Sequence, residues 1–268
     1  MAGLYVEGES KILSGVYSLI KATSNSITMG SRGCVAYPFT ADWGPVNTLV
    51  SGNLAALKDT FHAVDSQMSV GSVYNHASKG KPRKVLGFRM ATDSAKPAEA
   101  TVGAWVFETL YPTTRPFVIS VKETVEDEAV KLVLTENGVE LANFLVSDAA
   151  SLIEMVNASE YIRVKTSAKD LPSANAGVAF ANGNNGSTVT VQNYSQFLDE
   201  IEADGTANAF SLDGVEDASI NVTVLAWLAT ARQEGFYVTY VAGGPLTWDS
   251  AIDTANAKSK EYNSRAVI

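Results

Sequence analysis

The sequence predicts an α/β or α+β fold, in which a mixed-sheet core domain is formed by two separated chain segments and is interrupted by an inserted β-rich domain of the sandwich or barrel type. Three observations predict it. A helical pattern after Asn53 is followed by a strand pattern, short strand-like runs fill residues 96–165, and helices alternate with strands after Thr190. A strand–helix–strand alternation requires crossover connections, so it favours a partly parallel sheet.

The changes in pattern set the expected domain boundaries. Residues 1–22 form an N-terminal arm and a first strand, and residues 23–95 and 166–268 form the α/β core domain. Residues 96–165 form the inserted domain, because a block of strands within a flanking α/β pattern is typical of an insertion. We expect the arm to be extended up to a strand near residues 16–22, so that it can pair with its own sheet or with another subunit's sheet edge.

The next element is a short buried strand over residues 34–37, where Cys, Val, Ala and Tyr follow one another. Pro38 is expected to end it, because proline lacks the amide hydrogen that a strand interior needs. Cys34 is the single cysteine, so no disulfide framework is possible, and its apolar neighbours predict a buried structural thiol.

A helix is predicted after this strand, from the spacing of Leu54, Leu57, Phe61 and Val64. Ser51 and Asn53 are the alternatives for its N-cap. Residues 84–90 then alternate as a strand does.

Within the insertion, strands are predicted over residues 101–109, 116–123, 131–135 and 161–165. Asn137-Gly138 is the dipeptide typical of a tight hairpin turn, because both positions accept a positive φ. The flanking runs, 132–134 and 140–144, are therefore expected to pair, and a short capped helix is expected over residues 147–156.

The second core segment begins with a loop rich in Gly and Asn over residues 177–186. No Gly-Lys-Ser/Thr follows it, so it is not expected to hold a phosphate. Beyond it we predict a helix from Thr190 and a strand at residues 207–212. A helix at residues 221–235, a strand at 237–241 and a final helix at about 248–259 are expected to follow.

Composition narrows the range of partners. The 268 residues include 20 basic and 29 acidic side chains, for a formal net charge of −9, which disfavours binding to nucleic acid. The most basic stretch, residues 79–84, contains Gly and Pro and is expected to be a solvated loop. The N-terminus has no signal-peptide pattern and no apolar run is long enough to insert into a membrane, so we expect the chain in the cytoplasm of the cell that makes it.

Catalytic and metal sites are not expected. His62 and His76 lack a nearby Cys or carboxylate cluster, and His76 is expected in a polar turn. Asp42 and the acidic pairs at 126–128 and 199–200 are the carboxylates weighed for glycoside chemistry, but turn and surface positions explain them. The prediction is a protein without catalytic residues, cofactor or metal.

Four segments, at residues 11–17, 32–45, 176–198 and 210–235, together resemble motifs of contractile tail sheath proteins. Residues 32–45, RGCVAYPFTADWGP, resemble the RGVVA-P…WGP segment of that family, and residues 11–17 resemble its K-LPGVY segment, with Ser14 where proline is usual. Residues 176–198 resemble its L-GG-NG-V---DY--FLDALE block, and residues 210–235 resemble a strand and a helix ending in R-E-G. These segments fall in the family's order and cover most of the chain.

The resemblance implies a mechanical function. Copies would form a homo-oligomer of stacked rings around a tail tube protein, between a baseplate and a tail terminator, and would contract to drive the tube through a cell envelope. The location would be a virion tail or phage-tail-like particle, assembled in the bacterial host cytoplasm. Residues 1–20 would add a strand to a neighbouring subunit, with Ile12, Val16 and Tyr17 as subunit-interface anchors.

One departure from the family concerns the end of the chain, since sheath proteins continue into a further domain and a C-terminal arm. We therefore expect this chain to be a fragment that is monomeric or weakly associating. The alternative is an immunoglobulin-like surface adhesin or binding module built on the β-rich block, which leaves the strand–helix–strand remainder unexplained. An enzyme is the third class.

Overall fold

The computed structural model describes residues 33–123, 129–214, 217–243 and 251–268. The first half of the chain contains β1 (Cys34–Phe39), β2 (Leu49–Gly52), α1 (Leu54–Phe61), α2 (Ser69–Gly80), β3 (Lys84–Arg89), β4 (Pro97–Val102), β5 (Trp105–Pro112) and β6 (Phe117–Glu123). The second half contains β7 (Val130–Glu136), β8 (Val139–Val146), α3 (Ala149–Asn157), β9 (Ile162–Thr166), β10 (Asn175–Ala179), α4 (Val191–Asp204), β11 (Ala209–Phe210), α5 (Ala218–Glu234), β12 (Thr239–Tyr240) and α6 (Ala251–Tyr262).

A five-stranded mixed sheet has the order β12-β11-β1-β3-β2. β1 pairs in parallel with both β3 and β11, and β11 pairs in parallel with β12. β2 runs antiparallel to β3 at the edge. The predicted α+β class and the partly parallel sheet are both confirmed.

Helices cover both faces of this sheet. Cys34, Ala36 and Phe88 lie in one apolar cluster with the buried faces of α4 and α5. Phe39 and Val85 lie in the opposite cluster, with α1 and α2. Because parallel strands are buried on both faces, they consist of continuous apolar runs, which is why residues 34–37 could be predicted as a strand. The predicted burial of Cys34 is confirmed, since its exposed fraction is 0%.

The N-termini of two predicted helices are capped by side chains. The Asn53 Oδ1 accepts a hydrogen bond from the Ala56 amide, so Asn53 rather than Ser51 caps α1. At α4, the Thr190 hydroxyl and the Asn193 side chain form a reciprocal capping box. Both caps satisfy amide groups that the first turn of a helix leaves without partners.

Two predictions about this domain are wrong. The expected polar turn around His76 is instead part of α2, where His76 Nδ1 lies 2.8 Å from the Ser72 carbonyl oxygen. The buried residues of α2 are Val70, Val73 and Ala77. Polar residues and glycine separate them, so the sequence pattern did not predict this helix. The strand Leu49–Gly52 also was not predicted, because four residues carry little periodic signal.

The second error concerns Pro38, which lies inside β1 and does not end it. The carbonyl groups of Cys34 and Ala36 accept hydrogen bonds from Asn208 and Ser211, on the side of β11. Strand residues alternate with a period of two, so the missing amide hydrogen of Pro38 faces the same side. β11 has already ended there, so no ladder bond is lost.

The β-rich part consists of two antiparallel sheets, of order β10-β6-β7-β8 and β4-β5-β9. Residues of both sheets and of α3 share one apolar cluster, which includes Trp105, Phe107, Ile119 and Leu132. The predicted hairpin is confirmed, since β7 pairs with β8 across Asn137 and Gly138, at φ 50° and 80°.

Two details differ in this part. Residues 101–109 form no single strand, because the chain turns at Gly103, with φ 62°, between β4 and β5. Residues 175–179 form β10, which pairs with β6, so at the level of strand pairing the β-rich sheets extend past the predicted boundary at residue 165.

At the edge of the mixed sheet opposite β2, Val267 forms a parallel bridge with Tyr240 of β12. The predicted arm, residues 1–22, lies outside the described residues. Among those described, no helix combines the length and hydropathy that a membrane span requires.

Candidate functional site

The carboxyl edge of the parallel strands is one candidate site. Open α/β sheets bind ligands at this edge, at the point where the strand order reverses. From β1 the chain leads to β3 on one side, and from β11 it leads to β12 on the other, so this point lies between β1 and β11. Thr40, Ser69 at the start of α2, Tyr194 of α4 and Asp213 meet there.

These side chains bind one another. The Ser69 hydroxyl donates to Asp213 Oδ2 at 2.9 Å, and the Tyr194 hydroxyl donates to Asp213 Oδ1 at 2.8 Å. The Thr40 amide donates to the Ser69 oxygen at 2.8 Å. Burial and the Asp213 charge raise the pKa of Tyr194, so its phenol stays protonated and remains a donor. The carboxylate therefore occupies the position where an anionic ligand would sit.

A buried arginine lies where β3 ends. Arg89 has an exposed fraction of 0%, and its guanidinium donates to the carbonyl oxygens of Gly44, Pro112 and Asn185 at 2.7, 2.8 and 3.4 Å. Burial lowers the pKa of Arg89 to about 10, so the group remains charged at neutral pH. Arg89 thus joins the mixed sheet to β5 and to the loop before α4.

The Gly- and Asn-rich loop has a packing function at the same seam. A Cβ atom on Gly183 would lie 1.9 Å from the Thr113 carbonyl oxygen, so only glycine fits. Asn185 accepts from the Thr114 amide at 3.0 Å and donates to the Thr114 hydroxyl at 2.9 Å. The loop therefore closes against the end of β5.

The candidate carboxylate Asp42 is part of an ion network. Arg115 Nε and Nη2 donate to the two Glu136 oxygens at 2.6 and 2.9 Å, and its Nη1 lies 3.3 Å from Asp42 Oδ1. All three side chains are 15% exposed or less. Both carboxylates are therefore held by one guanidinium, which is the arrangement of a structural ion pair.

The other candidates are not brought together. Asp199 and Glu200 lie on α4 and are not among its buried residues, and the acidic group at 126–128 lies outside the described residues. No group of three or more His, Cys, Asp or Glu able to hold a metal occurs in the part of the chain that the structure describes. His62 ends α1 at a positive φ of 49°, with its ring 5.6 Å from that of Trp43.

A cleft does lie beside Trp43 and His62. Two adjoining hollows, of about 340 and 310 Å³, share Asp59, His62, Glu160 and Tyr161 as lining residues. Tyr111 packs edge-on against Trp43 at 5.4 Å and completes an aromatic wall. Burial, and next the Arg115 charge, lower the pKa of His62. The carboxylates that line the cleft, those of Asp59, Asp65 and Glu160, are all exposed to solvent and lie at its rim. They do not converge on a reacting position.

The predicted interface anchors Ile12, Val16 and Tyr17 lie outside the described residues. Sequence reasoning did not predict the seam around Arg89. A charged residue at the end of an otherwise apolar strand is the one signal that could have indicated it, because buried arginines need partners.

No protein-family model matches this sequence, and no curated protein does. Solved structures are similar to this chain, among them two sheath tail proteins. A sheath tail protein of Desulfitobacterium hafniense has 24% identity and a TM-score of 0.67, over 85% of this chain and 52% of that one. A sheath tail protein of Listeria innocua has 22% identity and a TM-score of 0.63, over 80% of this chain and 48% of that one. The chain thus spans about half the length of these structures.

The resemblance found in the sequence and the similarity in three dimensions point to the same proteins. The chain has the fold of bacterial sheath tail proteins.

Proposed function

We propose that this chain is a structural subunit of a contractile tail sheath, which polymerises around a tail tube and contracts to drive the tube through a cell envelope. The observation that carries the proposal is the match to a sheath tail protein over 85% of the chain. The site geometry agrees with it, since the crevice that binds ligands in many α/β sheets is occupied here by Asp213.

The partners follow from this function. Copies of the chain would contact one another in stacked rings, and the assembly would contact a tail tube protein, a baseplate and a tail terminator in a virion tail or phage-tail-like particle. Residues 1–22 would serve as the arm that adds a strand to a neighbour, with Ile12, Val16 and Tyr17 as its anchors. Main-chain hydrogen bonds of such an arm hold the subunits together while they change their packing. Residues 96–165 would form the inserted, β-rich outer domain, to whose sheet β10 adds a strand.

Immunogold electron microscopy tests the proposal. Antibodies raised against the purified chain would be applied to particles sedimented from the bacterium that encodes it. We expect gold along the whole length of tails, on both extended and contracted particles. Label only at a tail end, or absence of label from tails, would contradict a sheath subunit.

The same experiment tests the adhesin alternative. The β-rich sheets by themselves are compatible with a binding module, and an adhesin would place the gold on cell surfaces. The match to sheath proteins extends through the mixed sheet and its helices, which an adhesin built on the β-rich sheets leaves unexplained. The sheath proposal is therefore the one favoured.

A further inference from the structure

Two oppositely charged surfaces lie at opposite ends of α2. One is the segment 79–84, which was predicted to be a loop but comprises the last two residues of α2, a short connection at 81–83 and the first residue of β3. We keep the name basic loop for it, and its Lys79, Lys81 and Arg83 are exposed. None of these three forms an ion pair with any residue that the structure describes. The other is the acidic cleft described above, whose rim carries the exposed carboxylates Asp59, Asp65 and Glu160. Each surface has charge that no ion pair among the described residues neutralises, apart from the long contact of Asp59 with Lys58.

The acidic cleft suits a cation. Asp65 and Glu160 have no ion-pair partner in the described ranges. Asp59 has a weak one, since its Oδ1 lies 3.9 Å from the Nζ of Lys58 and both side chains are exposed. Behind them, the aromatic rings of Tyr111 and Tyr161 line the cleft. Carboxylates attract a cation, and tyrosine rings bind a guanidinium or ammonium group through their faces. A hollow of about 340 Å³ is large enough to hold a side chain.

The two surfaces cannot meet within one molecule. The Val70 amide binds the Thr40 carbonyl just beyond the carboxyl end of β1, whereas the Lys84 amide binds the Gly33 carbonyl at its amino end. The 12 residues of α2 separate the two ends by about 18 Å. At physiological ionic strength an attraction over this distance is screened, because the Debye length is about 8 Å.

We propose that the basic loop of one copy docks in the acidic cleft of a second copy. This contact is head-to-tail, so it uses different surfaces on the two molecules and can repeat from copy to copy. The inference rests on the proposed function, since it supplies one of the contacts through which sheath subunits polymerise. It names a contact made by the folded domain, in addition to any made by the arm.

Zero-length cross-linking identifies the contact. An equimolar mixture of unlabelled and ¹⁵N-labelled chain is treated with a carbodiimide at low salt, and the cross-linked peptides are identified by mass spectrometry. We expect mixed-isotope links between Lys79 or Lys81 and the carboxylates Asp59, Asp65 or Glu160. Links from these carboxylates to Lys11 or Lys21 instead would identify a different occupant and overturn the proposal.

Charge reversal measures the contribution of the contact. In the variants Asp65→Lys/Glu160→Lys and Lys81→Glu/Arg83→Glu, we expect the association constant from sedimentation velocity to fall about tenfold or more. An equimolar mixture of the two variants should recover association, because each reversed surface then meets a complementary one. The control Lys169→Glu/Lys260→Glu makes the same change in net charge as Lys81→Glu/Arg83→Glu, at exposed positions elsewhere, and should leave association unchanged.

The outcomes separate this inference from the proposed function. Association that persists in both reversed variants would reject this contact and leave the sheath proposal standing. A wild-type chain that forms no mixed-isotope link and no dimer at any concentration would also reject this contact, whereas the sheath proposal is decided separately by the immunogold labelling.

Discussion

At the scale of single residues, Asp42, which sequence reasoning weighed for chemistry, and Asp213, which the structure brings to the carboxyl edge of the sheet, both hold the fold together. Asp42 is bound by Arg115, and Asp213 is bound by Ser69 and Tyr194. The partners of each carboxylate lie on other elements of the chain, since Arg115 precedes β6, Ser69 begins α2 and Tyr194 belongs to α4. These groups therefore connect segments of the chain that lie far apart in sequence.

Arg115 offers a direct test of this role. We expect Arg115→Met to lower the free energy of unfolding by about 3 kcal/mol, because it leaves Asp42 and Glu136 facing each other without a counter-charge. The measurement is urea unfolding at neutral pH. Arg163→Met, at an exposed position of β9, is the control and should change the free energy by less than about 0.5 kcal/mol. A loss at Arg115 no larger than at Arg163 would show that the network contributes nothing.

His62 predicts a pH dependence. Its pKa is lowered from 6.5 in the folded chain, chiefly by burial, so the unfolded chain binds more protons in the range between the two values. Stability from the neutral ring is therefore complete above about pH 6.5 and is lost as the pH falls through the lowered pKa. Thermal unfolding between pH 7 and pH 5 should show a smaller decline for His62→Asn than for the wild type.

Asn is the suitable replacement because it accepts the positive φ at this position. His76→Gln, on the exposed side of α2, is the matched control and should follow the wild-type curve. Equal declines for all three proteins would contradict the prediction.

At the scale of elements, some helices and strands are determined by local sequence signals, and others depend on burial against the rest of the fold. The β7–β8 hairpin was predicted from Asn137-Gly138 because the turn demands a backbone conformation that few residues adopt. Helix α1 was predicted because its cap and its apolar stripe agree. In contrast, α2 has only three buried side chains and contains two glycines, so its helical state depends on packing against β1.

Two glycine substitutions should have opposite effects. Gly138→Ala places a side chain at φ 80° and should destabilise the hairpin by about 1 kcal/mol. Gly80→Ala, at the last residue of α2, meets no atom within 4 Å and should stabilise the protein by about 0.5 kcal/mol, because alanine loses less backbone freedom on folding. Chemical denaturation of both variants checks the signs, and equal signs would contradict the argument.

At the scale of the whole described domain, the seam between the mixed sheet and the β-rich sheets is polar at its centre and apolar beside it. Arg89 connects three segments through carbonyl oxygens, and Trp43, just beyond β1, belongs to the apolar cluster of the β-rich sheets. Hydrogen bonds and burial at one seam make it costly to separate the two parts. We therefore expect them to unfold together.

Arg89→Met tests this coupling. We expect a loss of about 3 kcal/mol, because removing the guanidinium leaves buried carbonyl oxygens without donors. Urea unfolding followed by far-ultraviolet circular dichroism and by tryptophan fluorescence should give coincident transitions for the wild type. Two separate wild-type transitions would show that the parts are independent, and an unchanged midpoint for Arg89→Met would show that this residue does not couple them.

Local sequence by itself determined most of the elements and the fold class. Apolar runs, caps and the Asn-Gly turn act over a few residues, so strand β1, helices α1, α3, α4 and α5, and the β7–β8 hairpin could be predicted from them. The segments at residues 11–17, 32–45, 176–198 and 210–235 supported the resemblance to sheath proteins, which the fold matches.

Only the tertiary structure decided what depends on contacts between distant segments. It placed Pro38 inside β1 beside the end of β11, assigned β10 to the β-rich sheets, and brought Arg89 to Asn185 and Tyr194 to Asp213. It also placed the basic loop and the acidic cleft at opposite ends of α2. Pairing and burial are properties of residues far apart in sequence, and no local pattern carries them.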